Sequence, residues 1–299
     1  MPPDQPTPIF DRKLIVLRRN RIAAAAAEHE FLLSRVADDI AERLTFIQRN
    51  FPLVVNLGAY HGLLARRIRG IAGIESIINV ERSERLLAYC DGRRLVADEE
   101  ALPFATGSLD LVVSGLALHL VNDLPGVLVQ IRRALKPDGL LLAALLGGET
   151  LRELREAWLA AEAELAGGVS PRVAPFADVR DMGALLQRAG FALPVVDSET
   201  VVVSYESPLA LMQELRAMGA SNVLSHRRRS PVTRGLLKRA AEVYAERFSQ
   251  LDGRVTATFE ILNLTAWAPD ESQPKPLRPG SAKTRLADAL GVPERKVPE

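Results

Sequence analysis

His119 and Glu149 are the two residues whose type and position best suit catalysis in this sequence. His119 follows the apolar run "LDLVVSGLAL", where a histidine can act as an acid, a base or a substrate ligand near pH 7. A structural histidine bonded to a loop carbonyl is the competing interpretation. Glu149 follows a Gly-Gly pair after the next apolar run, and a carboxylate there can hold a guanidinium through two hydrogen bonds. A first-turn carboxylate favoured by the helix dipole explains Glu149 without any function.

The other histidines and the cysteine indicate no second catalytic centre. The four histidines lack the spacing of a metal site, and one cysteine cannot form a cysteine-rich one. We therefore predict no bound metal. Cys90 lies near the end of a helical pattern, where a buried structural thiol is the expected role.

The stretch "VVNLGAYHG" (54–62) has the form of a nucleotide-binding loop between a strand and a helix. Gly58 and Gly62 would let backbone N–H groups approach a ligand. Such loops usually carry an acidic residue two places before the first glycine and a further glycine in the middle, but here these positions are Asn56 and Tyr60. If the middle position requires a positive φ, the tyrosine adds about 1–2 kcal/mol of strain. That strain would weaken binding about ten- to thirtyfold.

Further polar residues follow the next predicted strands. Glu81 ends "IINVE" and can accept hydrogen bonds from ribose hydroxyls. Asp98 and Glu99 follow "RRLVA", where a carboxylate can accept from an exocyclic amine such as that of adenine. Ser114 closes the strand "LDLVVS". Because ligands bind beyond the carboxyl ends of parallel strands, we expect these residues to converge on one site.

The elements that would position these residues form an α/β pattern. Residues 1–50 are expected to form an N-terminal helical segment, with a helical pattern over 11–49 that predicts N-terminal helices. Residues 51–265 alternate apolar strands with helices, which predicts a mostly parallel sheet with an antiparallel last strand. A helical insertion is expected at about 150–245, before the last strands, and 266–299 is expected to be an exposed tail.

Composition excludes several classes of function. A net charge of +1 argues against a nucleic-acid protein, which needs a clustered positive surface. No apolar run reaches the roughly 18–20 residues that span a membrane. The N-terminus resembles neither a secretory signal nor a transit peptide. We therefore predict a cytoplasmic protein.

The segment "ADEEALPFATGSLDLVVSGLALHLVND" (97–123), followed by "ALKPDG" (134–139), resembles class I S-adenosylmethionine (SAM)-dependent methyltransferases of the type 11 kind. The resemblance implies a Rossmann-like SAM-methyltransferase fold. It also implies SAM as the cofactor, bound weakly because the loop is altered. The residues expected to hold it are Asn56, Gly58, Gly62, Glu81, Asp98, Glu99 and Ser114.

The segments "IFDRKL" (9–14), "GGETLRELR" (147–155), "GGVSPRVAPF" (167–176), "MGASN" (218–222) and "ATFEI" (257–261) are similar to bacterial relatives of a mitochondrial complex I assembly factor. Members of that family are described as arginine hydroxylases. The resemblance covers roughly residues 9–285. It implies an enzyme that hydroxylates an arginine on a complex I subunit, peripheral to the membrane through that partner. Asn222 and Glu260 lie in these segments and are expected to line the same cleft.

Two other functions remain open at the level of the sequence. One is SAM-dependent methylation of a small molecule or a carrier protein, as in malonyl-carrier-protein methyltransferases. The other is a non-catalytic assembly chaperone with a decayed cofactor loop. The segments of the second half favour arginine modification over methylation, whereas Tyr60 favours the chaperone.

Overall fold

The computed structural model describes residues 8–71 and 73–274, together with residues 281, 288 and 291. The chain divides into two units, Met1–Pro269 and Asp270–Glu299. The first two residues of the predicted tail, 266 and 267, belong to the last strand. Most of that tail lies outside the described residues.

A seven-stranded sheet forms the centre of the first unit, and it confirms the predicted fold class. The strands occur in the order β3-β2-β1-β4-β5-β7-β6. Strands β1 to β5 pair in parallel, and β7 runs antiparallel to both of its neighbours. The strands are β1 (Leu53–Leu57), β2 (Ser76–Val80), β3 (Arg93–Leu95), β4 (Leu109–Gly115), β5 (Leu135–Leu146), β6 (Ala192–Tyr205) and β7 (Val255–Trp267).

Helices cover both faces of the sheet, as its doubly apolar central strands require. One core lies between the sheet and α2, α3, α6, α8 and α9, and the other lies beneath α5 and α7. The helices are α1 (Arg12–Ile22), α2 (Phe31–Phe46), α3 (Leu63–Ile68), α4 (Glu84–Leu87), α5 (Leu124–Ala134), α6 (Arg152–Leu165), α7 (Val179–Arg188), α8 (Pro208–Ala217) and α9 (Arg234–Phe248).

The helical pattern predicted over 11–49 forms two α-helices, α1 and α2, with a 3₁₀ helix between them. Between α1 and α2 the chain forms a 3₁₀ helix over Ala23–His29, although alanine favours the α-helix. Side chains three residues apart eclipse one another in a 3₁₀ helix, and Ala23 and Ala26 are both buried against Leu86 of α4. Packing against α4 therefore overrides local propensity here.

The predicted helical insertion at about 150–245 is not wholly helical. Helices α6 and α7 precede β6, and α8 and α9 lie between β6 and β7. Strand β6 pairs with β7 over most of its length, so the segment contributes to the sheet as well as to its cover.

Candidate functional site

The order of the strands reverses between β1 and β4, and the loop from Gly58 to Gly62 lies at the carboxyl end of β1. Gly58 has φ +69°, and a Cβ there would lie 2.2 Å from the Cβ of Ala117. Gly62 has φ +88° and caps α3, and a Cβ there would lie 3.1 Å from Cys90. Both glycines are required by backbone conformation and by contacts with this chain itself.

Tyr60, at the middle position of the loop, adopts the left-handed conformation with φ +52°. This is the conformation that costs a non-glycine residue about 1–2 kcal/mol. The Tyr60 hydroxyl donates to the carbonyl of Met218 at 3.1 Å, and its ring lines a cavity beside the loop. Burial raises the pKa of Tyr60 to about 12, so the phenol stays neutral.

Glu81, at the end of β2, is fully buried and binds an arginine of this same chain. Both of its carboxylate oxygens accept from Nη1 of Arg19 at 2.9 Å. Oε1 also accepts from the Ser83 N–H, and Oε2 accepts from the Tyr60 N–H. The residue expected to hold a ribose is therefore saturated by α1 and by two backbone donors.

Arg12, one further residue of α1, binds the carboxylates that follow β3. Its Nη2 donates to Asp98 and to Glu99, and its Nε lies 3.6 Å from Glu100. Burial opposes the charge of Asp98, but a backbone hydrogen bond and the nearby arginines Arg12 and Arg82 lower its pKa. Four carboxylates thus surround Arg12 and Arg19 of α1. We call Glu81, Asp98, Glu99 and Glu100 the acidic cradle.

Sequence reasoning missed Arg12 and Arg19 as site residues. They lie seven positions apart in one helix, which places them on the same helical face, and they face the predicted acidic residues. Two basic residues at that spacing, and acidic residues at strand ends with no basic partner yet assigned, could have indicated this pairing from the sequence.

Asn56 and Ser114 are turned inward, and neither lines the cavity. The Asn56 amide donates to Oδ1 of Asn79 at 3.0 Å, between β1 and β2. The Ser114 hydroxyl donates to the carbonyl of Leu57 at 2.8 Å, which ties β4 to β1. In this structure both side chains hold the sheet together at the edge where the loop begins.

A cavity of about 350 Å³ lies next to the loop and the acidic cradle. Its wall is mainly apolar, with Leu, Met, Trp158, Phe176 and Phe259 side chains. Among the described residues that line it, none carries a carboxylate. Arg172, in the wall, lies 4.7 Å above the Trp158 ring and is paired with the buried Glu162.

His119 lines this cavity from the short 3₁₀ turn that follows β4. Its ring contacts Phe176 edge-on at 5.7 Å, and its Nδ1 is buried with no hydrogen-bond partner among the described residues. Burial, together with the charge of Arg19, lowers the pKa of His119 to about 3. The imidazole is therefore neutral at physiological pH and can accept a hydrogen bond, but it is neither a resident acid nor a strong base.

The structure does not bring Glu149 to the cavity wall. Its carboxylate is 60% exposed and pairs with Arg152 at 2.9 Å. Its backbone N–H donates to Glu260, whose carboxylate also packs on Gly147. Asn222 does line the cavity, where its amide donates to the carbonyl of Pro171.

The residues of this site match the requirements of a nucleoside cofactor only in part. The glycine loop, Glu81, Asp98 and Glu99 lie at one sheet edge, as SAM would require. In the observed position of α1, however, Glu81 has no acceptor position left for a ribose hydroxyl. Glu81 would be free to bind a ribose only if Arg19 were withdrawn. Within the described part of the chain, no group of three or more His, Cys, Asp or Glu side chains could hold a metal ion.

Comparison with known proteins first identifies the fold class of this chain. A family model described as a methyltransferase domain matches residues 55–143. The YcgJ protein from Bacillus subtilis superposes with a TM-score of 0.55 at 13% identity, covering 79% of this chain and 99% of that one. The sheet order and this superposition define a protein with the Rossmann-like methyltransferase fold.

Curated relatives define the family more closely. The protein named arginine-hydroxylase NDUFAF5, mitochondrial, from Homo sapiens is 40% identical over 94% of this chain and 83% of its own length. The Danio rerio protein of that name is 36% identical over 94% of this chain and 89% of its own. The chain belongs to the methyltransferase-fold family of the NDUFAF5 arginine hydroxylases.

A second group of relatives carries a different name. The malonyl-[acyl-carrier protein] O-methyltransferase of Laribacter hongkongensis is 35% identical over 83% of this chain and 86% of its own length. That coverage includes most of the second half, so the second half is shared with both groups of relatives. Within the described residues, no helix is long and apolar enough to cross a membrane.

Proposed function

We propose that this chain is an enzyme that hydroxylates an arginine side chain of a partner protein, a subunit of respiratory complex I, in the cytoplasm. The proposal rests on the identity of 36–40% with proteins named arginine hydroxylases, over 94% of this chain. The reaction replaces one C–H bond of the arginine with a C–OH bond. Dioxygen with a two-electron donor is the class of co-reactant that balances it.

His119 supports this proposal through its protonation state. A neutral imidazole with an unpartnered Nδ1 can accept an N–H of a guanidinium, whereas an imidazolium would repel it. Glu149 contributes only after a rearrangement, because its carboxylate must exchange Arg152 for the substrate's guanidinium. We therefore place His119 before Glu149 as the first contact of the substrate.

SAM is the cofactor we propose for the site. Gly58 and Gly62 would carry its backbone contacts, Glu81 its ribose, and Asp98 with Glu99 its adenine amine. A bound SAM would supply an electrophilic methyl group, which methylation would use and hydroxylation would not. Glu81 and Glu99 are buried beneath α1, so a ligand held by them would be shielded from water only where α1 still covers the site.

Methylation of a carrier-bound acyl group is the second candidate, and the composition of the cavity favours it. A guanidinium that enters the cavity meets no carboxylate among the described lining residues, and burying an unpaired charge is costly. An apolar chain that ends in a carboxylate suits the apolar wall, in which Arg19 and Arg172, each paired with a buried glutamate, supply positive charge. The relative from Laribacter hongkongensis carries a name of this chemistry.

Mass spectrometry of complex I subunits from a wild-type strain and a deletion strain separates the candidates. We expect one arginine with an added oxygen in the wild type, lost on deletion and restored by the wild-type gene. A His119→Asn gene should restore it poorly, whereas the exposed His226→Gln serves as the matched control and should restore it fully.

Other outcomes would replace the proposal. Transfer of a methyl group from SAM to a malonyl carrier protein, with unmodified complex I arginines, would support the methyltransferase. Failed complex I assembly in the deletion strain, with no modified arginine in the wild type, would support a chaperone.

A further inference from the structure

Helix α1 lies where a cofactor would bind, and we infer that Arg19 sets the affinity of this site for any ribose-bearing cofactor. The inference deepens the proposed function, on which it rests for the identity of the cofactor. The Arg19 guanidinium and the ribose hydroxyls would compete for the same carboxylate, that of Glu81.

The hydrogen bonds of Glu81 carry the first step. A carboxylate offers about four acceptor positions. Oε1 accepts from Arg19 and Ser83, and Oε2 accepts from Arg19 and Tyr60, at 2.9–3.1 Å. Glu81 is 0% exposed, so the carboxylate cannot turn toward solvent to gain a further partner. Ser83 and Tyr60 donate through the backbone, which leaves Arg19 as the partner that can exchange.

Arg19 shares α1 with other basic residues, so on this inference its withdrawal involves the whole helix. The helix reads "RKLIVLRRNRI", with five basic residues and no acidic one. Arg12 and Arg19 share one face, and both contact the acidic cradle. Withdrawing Arg19 therefore loosens the contacts of Arg12 with Asp98 and Glu99 as well, which frees the carboxylates expected at the adenine end.

The surroundings of α1 allow such a movement. The 3₁₀ segment Ala23–His29 separates α1 from α2, and a 3₁₀ stretch that interrupts a helical segment often marks a hinge. Arg18, also on α1, has its Nη1 buried without a partner among the described residues. Burial, followed by the charges of Arg227 and Arg21, lowers the pKa of Arg18. The position of α1 thus combines ion pairs with the acidic cradle and an unfavourable burial of the Arg18 guanidinium near other arginines.

Calorimetric titration with S-adenosylhomocysteine tests the competition with an unreactive probe. We compare the wild type with Arg19→Met, and with Arg35→Met as the matched control, because Arg35 pairs with Glu199 at the surface. If Arg19 occupies Glu81 in more than about nine-tenths of the molecules, removing Arg19 tightens binding by at least about tenfold. The control should bind like the wild type. Equal or weaker binding by Arg19→Met overturns the inference, whether or not the wild type binds.

Arg19→Met leaves Glu81 buried without its partner and can lower stability. A second measurement therefore uses the wild-type protein alone. Hydrogen–deuterium exchange is measured on the wild-type protein with and without S-adenosylhomocysteine. We expect the amides of α1 to exchange faster in the bound state, since the helix has left the cradle. Unchanged or slower exchange in α1 at saturation overturns the inference.

Failure of this inference is distinguishable from failure of the proposed function. The arginine product is read by mass spectrometry of the partner and does not enter either binding measurement. Tight wild-type binding with an unchanged α1 would remove the role of Arg19 and leave the hydroxylase proposal standing. If the partner is unmodified but Arg19→Met binds more tightly, the hydroxylase proposal would fail and the role of Arg19 would stand.

Discussion

The protonation state of His119 yields a quantitative prediction for stability against pH. Its folded-state pKa is about 3, whereas an unfolded histidine titrates near 6.5. Between these values only the unfolded chain binds the proton, so this contribution to stability is complete above pH 6.5 and is lost as the pH falls toward 3. At pH 5 the loss is about 2 kcal/mol. That value holds for any folded-state pKa well below 5.

The test is urea unfolding at pH 7 and at pH 5, for the wild type and for His119→Phe. The phenyl ring does not titrate and can keep the edge contact with Phe176. We expect the wild type to lose about 2 kcal/mol more than the variant between the two pH values. Other titrating groups act in both proteins and cancel in the difference. The exposed His226→Gln should behave like the wild type.

Equal losses in the wild type and in His119→Phe would refute this reasoning. They would mean that His119 takes up a proton in the folded state, close to Arg19. The proposed role of His119 as a neutral acceptor for a guanidinium would then fail as well.

Three further predictions concern other residues. Gly58→Ala should lower the free energy of unfolding by about 2–4 kcal/mol, from left-handed strain and the clash with its neighbour. Gly70 has φ +97° and open space around it, so Gly70→Ala should lower the free energy of unfolding by only about 1–2 kcal/mol. Equal losses for the two variants in thermal unfolding would contradict the clash at Gly58. Burial raises the pKa of Cys90 to about 11, so thiol reagents at pH 8 should label it only on unfolding; rapid labelling of the native protein would show an exposed thiolate. Glu149→Gln should stay within about 0.5 kcal/mol of the wild type in urea unfolding, and a larger loss would show that its exposed pair with Arg152 is structural.

Much of the candidate site could be predicted because it lies at strand ends. Apolar runs define parallel strands, and the residues that follow them share one edge of the sheet, as Glu81, Asp98 and Glu99 do. The positive φ of the middle loop position, which made Tyr60 notable, was likewise predictable from the spacing of the glycines.

The direction of individual side chains could not be predicted in this way. Asn56 and Ser114 lie at the expected positions, yet their side chains bond across strands. Glu149 follows its strand as expected, but the start of α6 pairs it with Arg152 at the surface. Such orientations depend on rotamers and on partners that are distant in the sequence.

By itself the sequence determined the parallel sheet, the order of elements along the site and the positions of the glycines, because these follow from local periodicity and backbone sterics. Only the tertiary structure decided that α1 places Arg12 and Arg19 on the acidic cradle, with contacts between residues more than 60 positions apart. It also decided the 3₁₀ conformation of Ala23–His29, where packing against α4 outweighs the helix propensity of alanine. Buried charges must find partners wherever the fold supplies them, and for Glu81 the partner came from the helix that covers the site.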